Sequence, residues 1–188
     1  MFITYKVDDE IKLVYPFEIY ASELHAVVAE SNDYLSEWLP WAIKDFSLDN
    51  ALSQIRYMNE ACSKNQSLWT LIKYKGAVVG GIGLNRFDPG SMTTDIGYWL
   101  EEKSQHKGII TRACAAMIEY TFADLGFNRI ELRTAAENKR SVAVAERLGF
   151  VHEGTLRQAE VLHNVFRSLE LYALVKEDWL KSQQGIAD

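Results

Sequence analysis

The chain has 188 residues, of which 48% are hydrophobic and 24% are charged, as expected for one globular domain that buries a sizeable core. The formal net charge is −6 and no long run of like charges is present, which argues against a nucleic-acid-binding face. The two cysteines, Cys62 and Cys114, lack a CxxC spacing, so neither a disulfide framework nor a metal site is expected.

The N-terminal residues lack the pattern of a signal peptide, and no apolar run reaches membrane-spanning length. We therefore expect a cytoplasmic protein without a membrane partner. One domain is expected over residues 1–182, followed by a polar tail at 183–188, and the chain after Trp179 is expected to be loose.

Apolar periodicity and turn residues divide the chain into alternating strands and helices. The predicted strands are 11–17, 67–74, 77–87, 93–100, 129–135, 150–156 and 165–175. The predicted helices are 18–30, 47–65, 110–125 and 138–148. A loop at 157–164 is expected to join the last two strands. Because helices enter singly between strands, the fold class is a mixed α/β (α+β) sheet, and a right-handed crossover should make strands 93–100 and 129–135 parallel.

Three glycines, Gly80, Gly81 and Gly83, lie inside the third predicted strand. Their spacing differs from that of a dinucleotide-binding GxGxxG motif, and no helix follows them. We therefore expect them to mark a β-bulge or a close approach of packed residues.

A strand, a polar loop and a helix start follow one another over residues 95–112, with Gly108 where the helix begins. The first N–H groups of a helix have no helical acceptor, and the helix dipole adds partial positive charge there. This junction is therefore a candidate site for an anion such as a pyrophosphate.

Four segments, in the same order, resemble motifs of the Gcn-type N-acetyltransferase (GNAT) superfamily. Gln105-His106-Lys107-Gly108-Ile109 resembles its acyl-CoA-binding signature, Q/R-x-x-G-x-G/A, and residues 96–100 resemble the strand before it. Residues 138–150 resemble the motif that follows, and residues 34–42 resemble the L-x-x-W-L-P-W-A segment of ribosomal-protein N-terminal acetyltransferases. The resemblance implies a GNAT fold, with a mostly antiparallel sheet of about seven strands, a splayed parallel pair formed by the fourth and fifth, and about four flanking helices.

The resemblance also implies transfer of an acetyl group from acetyl-CoA to an amine. Amides from Gln105 to Thr111 would hold the pyrophosphate, the pantetheine arm would pair with the fourth strand, and an N–H of that strand would polarise the thioester carbonyl. Asn138 would contact pantetheine, cap its helix, or do both. Ile110 departs from the Gly or Ala of the signature, but the helical pattern lets its side chain point to the core. The expected acetyl-CoA-binding residues are Tyr98, Trp99, Leu100, Gln105, His106, Lys107, Gly108, Ile109, Ile110, Thr111 and Asn138.

Two residues are expected to carry the proton transfers. Glu160 matches a carboxylate that ribosomal-type members use as base or as substrate ligand, and an α-amine, with a pKa near ~8, needs only a mild base. Ser141 matches a serine beside the CoA sulfur, where it would hydrogen-bond or protonate the thiolate; alternatively it satisfies a backbone N–H in the first helical turn. Ala145 stands where many members have a tyrosine that acts as the acid, so that mechanism does not apply here.

The acceptor site is expected at Trp38, Trp41 and His163. The two tryptophans either form a wall of the acceptor pocket or pack in the core, and His163 follows Glu160 closely in sequence. Three acceptor hypotheses stay open: the N-terminal α-amine of a protein such as a ribosomal protein, a small-molecule amine (a polyamine, amino acid or antibiotic), or no acceptor at all in a non-catalytic CoA-binding module. The sequence is also compatible with a homodimer.

Overall fold

The structure is a computed structural model that describes residues 3–184. Its central element is one eight-stranded sheet. The strands are β1 (Thr4–Lys6), β2 (Ile11–Val14), β3 (Leu68–Tyr74), β4 (Ala77–Asp88), β5 (Thr93–Leu100), β6 (Arg129–Ala135), β7 (Val151–Leu162) and β8 (Val165–Val175). The α-helices are α1 (Ala21–Glu30), α2 (Asn32–Ser36), α3 (Leu48–Ser63), α4 (Ile109–Glu119), α5 (Lys139–Arg147) and α6 (Lys176–Gln184). None of the helices in residues 3–184 is both long and apolar enough to cross a membrane.

The strands lie in the order β1-β2-β3-β4-β5-β6-β8-β7, and every neighbouring pair is antiparallel except β5 and β6. The predicted parallel pair is thus confirmed. Its pairing is restricted to three residues of each strand, Thr93–Asp95 opposite Arg129–Glu131. Beyond Asp95 the two strands diverge, which is the splay that the family resemblance implied.

The sheet separates two hydrophobic clusters, because successive side chains of a strand face opposite sides. One cluster contains Ile96 of β5 and packs the sheet against α4, with Ile109 and Met117 fully buried. The other contains Trp99 of β5 and packs the sheet against α1 and α3, with Leu24 and Ile55 fully buried. Helices therefore cover both faces near β5, where the strands diverge.

The structure has more elements than the seven strands and four helices that we expected. The additional ones are β1, α2 and α6. β1 has three residues and α2 has five, so neither is long enough to show a periodic apolar pattern. The prediction of a loose chain after Trp179 is wrong, since α6 continues to Gln184 and Trp179 packs on Phe122, with the ring centroids 5.4 Å apart. Residues 185–188 of the predicted tail lie outside the described residues.

The predicted loop at 157–164 is also wrong over most of its length. β7 continues to Leu162, and only His163 and Asn164 form the turn, with φ angles of 51° and 62°. The register of β7 against β8 shifts between Leu156 and Glu160. This β-bulge interrupts the alternation by which a strand is recognised in a sequence. Glu160 pairs with Arg167 beyond the bulge and is therefore a strand residue.

Close packing explains the glycines of β4, as predicted. A Cβ added to Gly81 would lie 2.5 Å from Nε1 of Trp99, the residue opposite it on β5. Gly83 likewise leaves room for the ring of Trp69, which a Cβ would approach to 2.6 Å. The absence of a side chain at these two glycines therefore lets the indole rings of Trp99 and Trp69 approach the backbone of β4 closely.

Candidate active site

A cavity of about 970 Å³ opens where β5 and β6 diverge, and it runs from the N-terminus of α4 to the segment after α2. Most of the residues predicted for the site lie on its wall. They are Trp38, Trp41, Tyr98, Trp99, Leu100, Gln105, His106, Gly108, Ile109, Ile110, Thr111, Asn138, Ser141 and Glu160. The fold thus joins the expected donor and acceptor residues in one space.

Two predicted residues lie away from this wall. Lys107 is exposed, and its Nζ donates a hydrogen bond to the carbonyl oxygen of Lys103 at 2.9 Å. His163 lies at the tip of the β7–β8 hairpin, and its Nε2 donates to the carbonyl oxygen of Ser36 at 2.8 Å. His163 therefore fastens the hairpin to the end of α2.

The donor end of the cavity is the loop that leads into α4. His106 and Gly108 both have left-handed backbone conformations, with φ angles of 62° and 68°. The first helical hydrogen bond is donated by the N–H of Arg112 to the carbonyl of Gly108, at 3.1 Å. The amides before Arg112 consequently point out of the helix without helical acceptors, and α4 has no acidic residue in its first turn. Such a run of amides at a helix start suits a diphosphate.

Gln105 gives a second indication that a ligand belongs at this end. Its side chain lies on the cavity wall, and its Nε2 is buried without a hydrogen-bond partner in residues 3–184. A buried amide that lacks a partner is costly, typically about 1–3 kcal/mol. An acceptor atom supplied by the ligand would remove that cost.

Two arginines that were not singled out in the sequence also lie at the donor end. Arg112 forms ion pairs with Asp8 at 2.7 Å and Glu10 at 3.1 Å. Arg147, in the last turn of α5, donates to Oγ1 of Thr111 at 3.2 Å, which leaves the Thr111 hydroxyl proton free for the ligand. Arg112 lies four residues, about one helical turn, after Gly108, and this spacing could have indicated that Arg112 is near the start of α4. Nothing in the sequence indicates that the end of α5 meets the start of α4.

The edge of β5 that faces β6 forms the middle of the cavity. Ile96–Leu100 has partners on β4 but, among the described residues, none on β6. Backbone groups on that edge are therefore available to a ligand that extends along the strand. The side chain of Trp99 is only 4% exposed, and its ring packs edge-on against Trp41 with centroids 5.4 Å apart. Trp99 thus contributes its backbone to the edge of β5 and its indole to the core.

Ser141 is held from two sides. Its N–H donates to Oδ1 of Asn138, the N-cap of α5, at 3.1 Å. Its hydroxyl lies 2.7 Å from the hydroxyl of Tyr98 on β5. Burial raises the pKa of Tyr98 far above its usual value, so Tyr98 is protonated and can donate this hydrogen bond. Asn138 caps the helix as predicted, and it also lines the cavity beside Ser141.

Glu160 and the two tryptophans lie toward the other end of the cavity. Glu160 is half-buried just after the bulge of β7, opposite Arg167 of β8. Trp38 is half-exposed, and the guanidinium of Arg167 lies 5.9 Å from its ring centroid. Trp41 lines the cavity and also packs on the core through Trp99. Trp41 therefore lies on the cavity wall and also packs against the core, and its place in an acceptor pocket stays a prediction.

Metal ligands are absent from this arrangement, because the part of the chain at 3–184 contains no group of three His, Cys, Asp or Glu side chains that could hold a metal ion. The chain has two cysteines, and neither lies on the cavity wall. Cys114 is buried, and burial raises the pKa of its thiol. The cavity therefore offers hydroxyls, one carboxylate, guanidinium groups and backbone amides, but no thiol nucleophile.

Comparisons with protein families, characterised proteins and solved structures identify proteins similar to this chain. Residues 15–151 match the Acetyltransferase (GNAT) domain family. YdaF of Bacillus subtilis (strain 168), provisionally named a ribosomal N-acetyltransferase, is 31% identical over 180 residues, covering 94% of this chain and 97% of YdaF. The ribosomal-protein-serine acetyltransferase of Escherichia coli (strain K12) is 28% identical over 172 residues, covering 92% and 96%. The crystal structure of the microcin C7 self-immunity acetyltransferase MccE with acetyl-CoA and AMP superposes with a TM-score of 0.88 at 32% identity, covering 93% and 97%.

Proposed function

The chain belongs to the GNAT acetyltransferase family and is an acetyl-CoA-dependent N-acetyltransferase, and we propose that it acetylates the α-amino group at the N-terminus of a protein, specifically a ribosomal protein. The observation that carries this proposal is the shared cavity. Its wall includes Ser141, Glu160, Trp38 and Trp41, which are the residues that match ribosomal-type members, together with the phosphate-binding loop of α4. The printed names of two full-length relatives support the same acceptor class.

Glu160 is the base in the proposed reaction. It accepts the proton that the attacking nitrogen loses, directly or through a water. Half-burial on β7 keeps the carboxylate on the cavity wall, where an amine bound beside Trp38 can reach it. An α-amine is partly neutral near pH 8, so one carboxylate is sufficient for this step.

Ser141 is the acid. As the new C–N bond forms and the C–S bond breaks, its hydroxyl gives a proton to the departing sulfur. Ser141 then regains a proton from water, and water takes up the proton that Glu160 accepted. The hydroxyl of Tyr98 lies 2.7 Å from the hydroxyl of Ser141, and either group can donate. In the proposed reaction Tyr98 is the donor, so the proton of Ser141 is free to point at the sulfur. An N–H on the edge of β5 left open by β6 stabilises the negative charge that develops on the thioester oxygen.

The transfer is direct, with both substrates bound at once. Because neither cysteine lies on the cavity wall, no thiol of this chain can carry the acetyl group between two half-reactions. The cavity extends from the loop before α4 to Trp38, which leaves room for donor and acceptor together. Intersecting lines in a two-substrate initial-velocity plot are expected, and parallel lines would contradict direct transfer.

A second candidate acceptor is a small-molecule amine. The observation that favours it is the similarity to MccE, whose structure holds AMP together with acetyl-CoA. The acceptor end, with Tyr34 and Trp38 on its wall, also offers aromatic surface to a compact amine.

Steady-state kinetics on two acceptor sets tests the proposal. One set contains peptides that begin with serine or alanine, and their Nα-acetyl forms as controls. The other contains polyamines, amino acids and aminoglycosides. We expect free-N-terminal peptides to have the higher kcat/KM and the blocked peptides to be inactive. Turnover of small amines but of no peptide would contradict a protein acceptor.

A further inference from the structure

The charged residues on the cavity wall are predominantly cationic, although the chain as a whole carries a net charge of −6. Four arginines and one acid line the cavity: Arg112, Arg133, Arg140, Arg147 and Glu160. Arg112 and Arg147 lie at the α4 end, beside the proposed diphosphate site, and Arg112 also pairs with Asp8 and Glu10. A diphosphate at that end would not account for the cations at the opposite end.

Two guanidinium groups near the acceptor end have no ion-pair partner among the described residues: Arg140 on the cavity wall, and Arg167, which lies beside the wall residue Trp38. Arg133 differs from them, because it pairs with Glu131 at 2.8 Å. Neither Arg140 nor Arg167 forms an ion pair with any carboxylate of residues 3–184; each lies instead over an aromatic ring. Arg140 is 5.6 Å from the centroid of Tyr34, and Arg167 is 5.9 Å from that of Trp38.

Both guanidinium groups lie close to the proposed point of transfer. Arg140 directly precedes Ser141, and Arg167 is the register partner of Glu160 on β8. Cα atoms of such antiparallel partners are about 5 Å apart. Arg167 is also fixed in direction, since its Nη1 donates to the carbonyl oxygen of Glu37 at 3.0 Å.

We propose that Arg140 and Arg167 select an acceptor that carries carboxylates next to its amine, namely a peptide with Asp or Glu at its second and third residues. A residue of extended peptide advances about 3.3–3.6 Å. A peptide whose amine reaches Glu160 therefore brings its second and third side chains past the guanidinium groups. The remaining N–H donors of each guanidinium are available to a carboxylate, and the aromatic ring beneath holds the group in place. This inference rests on the proposed peptide acceptor and names its class.

Three peptides test it, identical except for Glu-Glu, Gln-Gln or Lys-Lys after an N-terminal serine. For the wild-type chain we expect kcat/KM for the Glu peptide to exceed that for the Gln peptide about 5- to 10-fold at low salt, as two partly exposed charge pairs allow. The Lys peptide should be the poorest acceptor. The preference should shrink in 0.5 M NaCl, because exposed charges are screened.

In the double variant Arg140→Gln/Arg167→Gln the Glu-to-Gln ratio should fall to about 1, while Arg140→Lys/Arg167→Lys should retain most of it. Lys12→Gln, which removes one exposed positive charge from β2 at the far side of the sheet, should keep the wild-type ratio. Equal kcat/KM values for the three peptides in the wild-type chain would overturn the inference and leave a peptide acceptor standing. If no peptide is acetylated although acetyl-CoA still raises the melting temperature, both the inference and the proposed function fail.

Discussion

The hydroxyl of Tyr98 on β5 and the hydroxyl of Ser141 in the first turn of α5 lie 2.7 Å apart. This contact joins the open edge of β5 to the helix that carries the proposed acid. Burial raises the pKa of Tyr98, so its proton remains in place at neutral and moderately alkaline pH. In the proposed mechanism Tyr98 donates in this contact and acts as a positioning residue, which leaves the Ser141 proton free for the sulfur.

The first prediction is that Tyr98 acts only through Ser141. Ser141→Ala should lower kcat about 10- to 100-fold with little change in KM, as expected on removal of an acid for a fairly good leaving group. Tyr98→Phe keeps the packing and should lower kcat about 3- to 10-fold, corresponding to one hydrogen bond. The double variant should be no slower than Ser141→Ala alone, measured as a double-mutant cycle on kcat.

Fully additive losses in that cycle would show that Tyr98 acts independently of Ser141. A pH profile gives a separate check. Because the pKa of Tyr98 is raised from 10.0, Tyr98 does not titrate between pH 6 and 10. Tyr98→Phe should then lower the whole profile of kcat without moving its limbs, and a displaced alkaline limb would contradict the assigned protonation state.

The second prediction separates the two roles considered for Glu160. If Glu160 is the base, Glu160→Gln should lower kcat about 100-fold or more and change the acceptor KM little, because the amide keeps the shape but cannot accept a proton. If it is instead a substrate ligand, the acceptor KM should rise while kcat is retained. Glu153→Gln is the control, since Glu153 is on the same strand but pairs with Arg129 at 2.6 Å. The control should leave both constants within twofold of wild type.

The third prediction concerns the left-handed backbone of Gly108. A Cβ at this position meets nothing within 4 Å, so Gly108→Ala introduces strain only through its φ of +68°. That strain costs roughly 1–2 kcal/mol, and relaxing it should turn the amides before α4 away from the diphosphate. We expect about 1 kcal/mol of lost stability and an acetyl-CoA Kd raised about 5- to 10-fold, measured by calorimetry.

Gly126→Ala is a matched control for that variant. Gly126 has a φ of +74°, and a Cβ there would also meet nothing within 4 Å. It lies beyond the C-terminal end of α4, away from the loop that precedes the helix. It should lose similar stability and leave the acetyl-CoA Kd unchanged. An equal rise in Kd for both variants would mean that general destabilisation, not the loop before α4, weakens binding.

The fourth prediction concerns the contact between Gly81 and Trp99. A Cβ on Gly81 would lie 2.5 Å from the indole nitrogen, so Gly81→Ala must displace Trp99, a buried ring. Overpacking of this kind typically costs about 1–3 kcal/mol, which chemical denaturation can measure. Gly90→Ala is the comparison, because its Cβ meets only the carboxylate tip of Asp88 at 3.3 Å, and it should stay within about 0.5 kcal/mol of wild type.

Helix starts and caps were predicted correctly from the sequence, because the interactions that determine them are local. The start of α3 is an example, because the helix predicted at 47–65 begins just after Ser47, whose side chain accepts from the N–H of Asn50 three residues later. The same holds for the cap of α5 at Asn138 and for the glycine at the start of α4. These features depend on neighbouring residues, so their spacing alone indicates them.

Sequence patterns failed where an element is short or irregular. The bulge of β7 hides a strand, and Glu160 was expected in a loop for that reason. The five residues of α2 and the polar face of α6 give no periodic signal, although α6 is held by the packing of Trp179 on Phe122. Such elements are stabilised by contacts between distant residues, which propensity and periodicity do not report.

The sequence by itself indicated the proposed donor end of this enzyme, because a helix N-terminus with Gly108 suits a diphosphate through backbone groups whose positions follow from local conformation. The tertiary structure decided the partners of the proposed catalytic residues. Tyr98 contacts Ser141, which is 43 residues later in the sequence. Arg167 of β8 lies over the ring of Trp38, which follows α2. These contacts arise from the splay of β5 and β6 and from the β7–β8 pairing, and no local pattern encodes which side chains long-range pairing brings together.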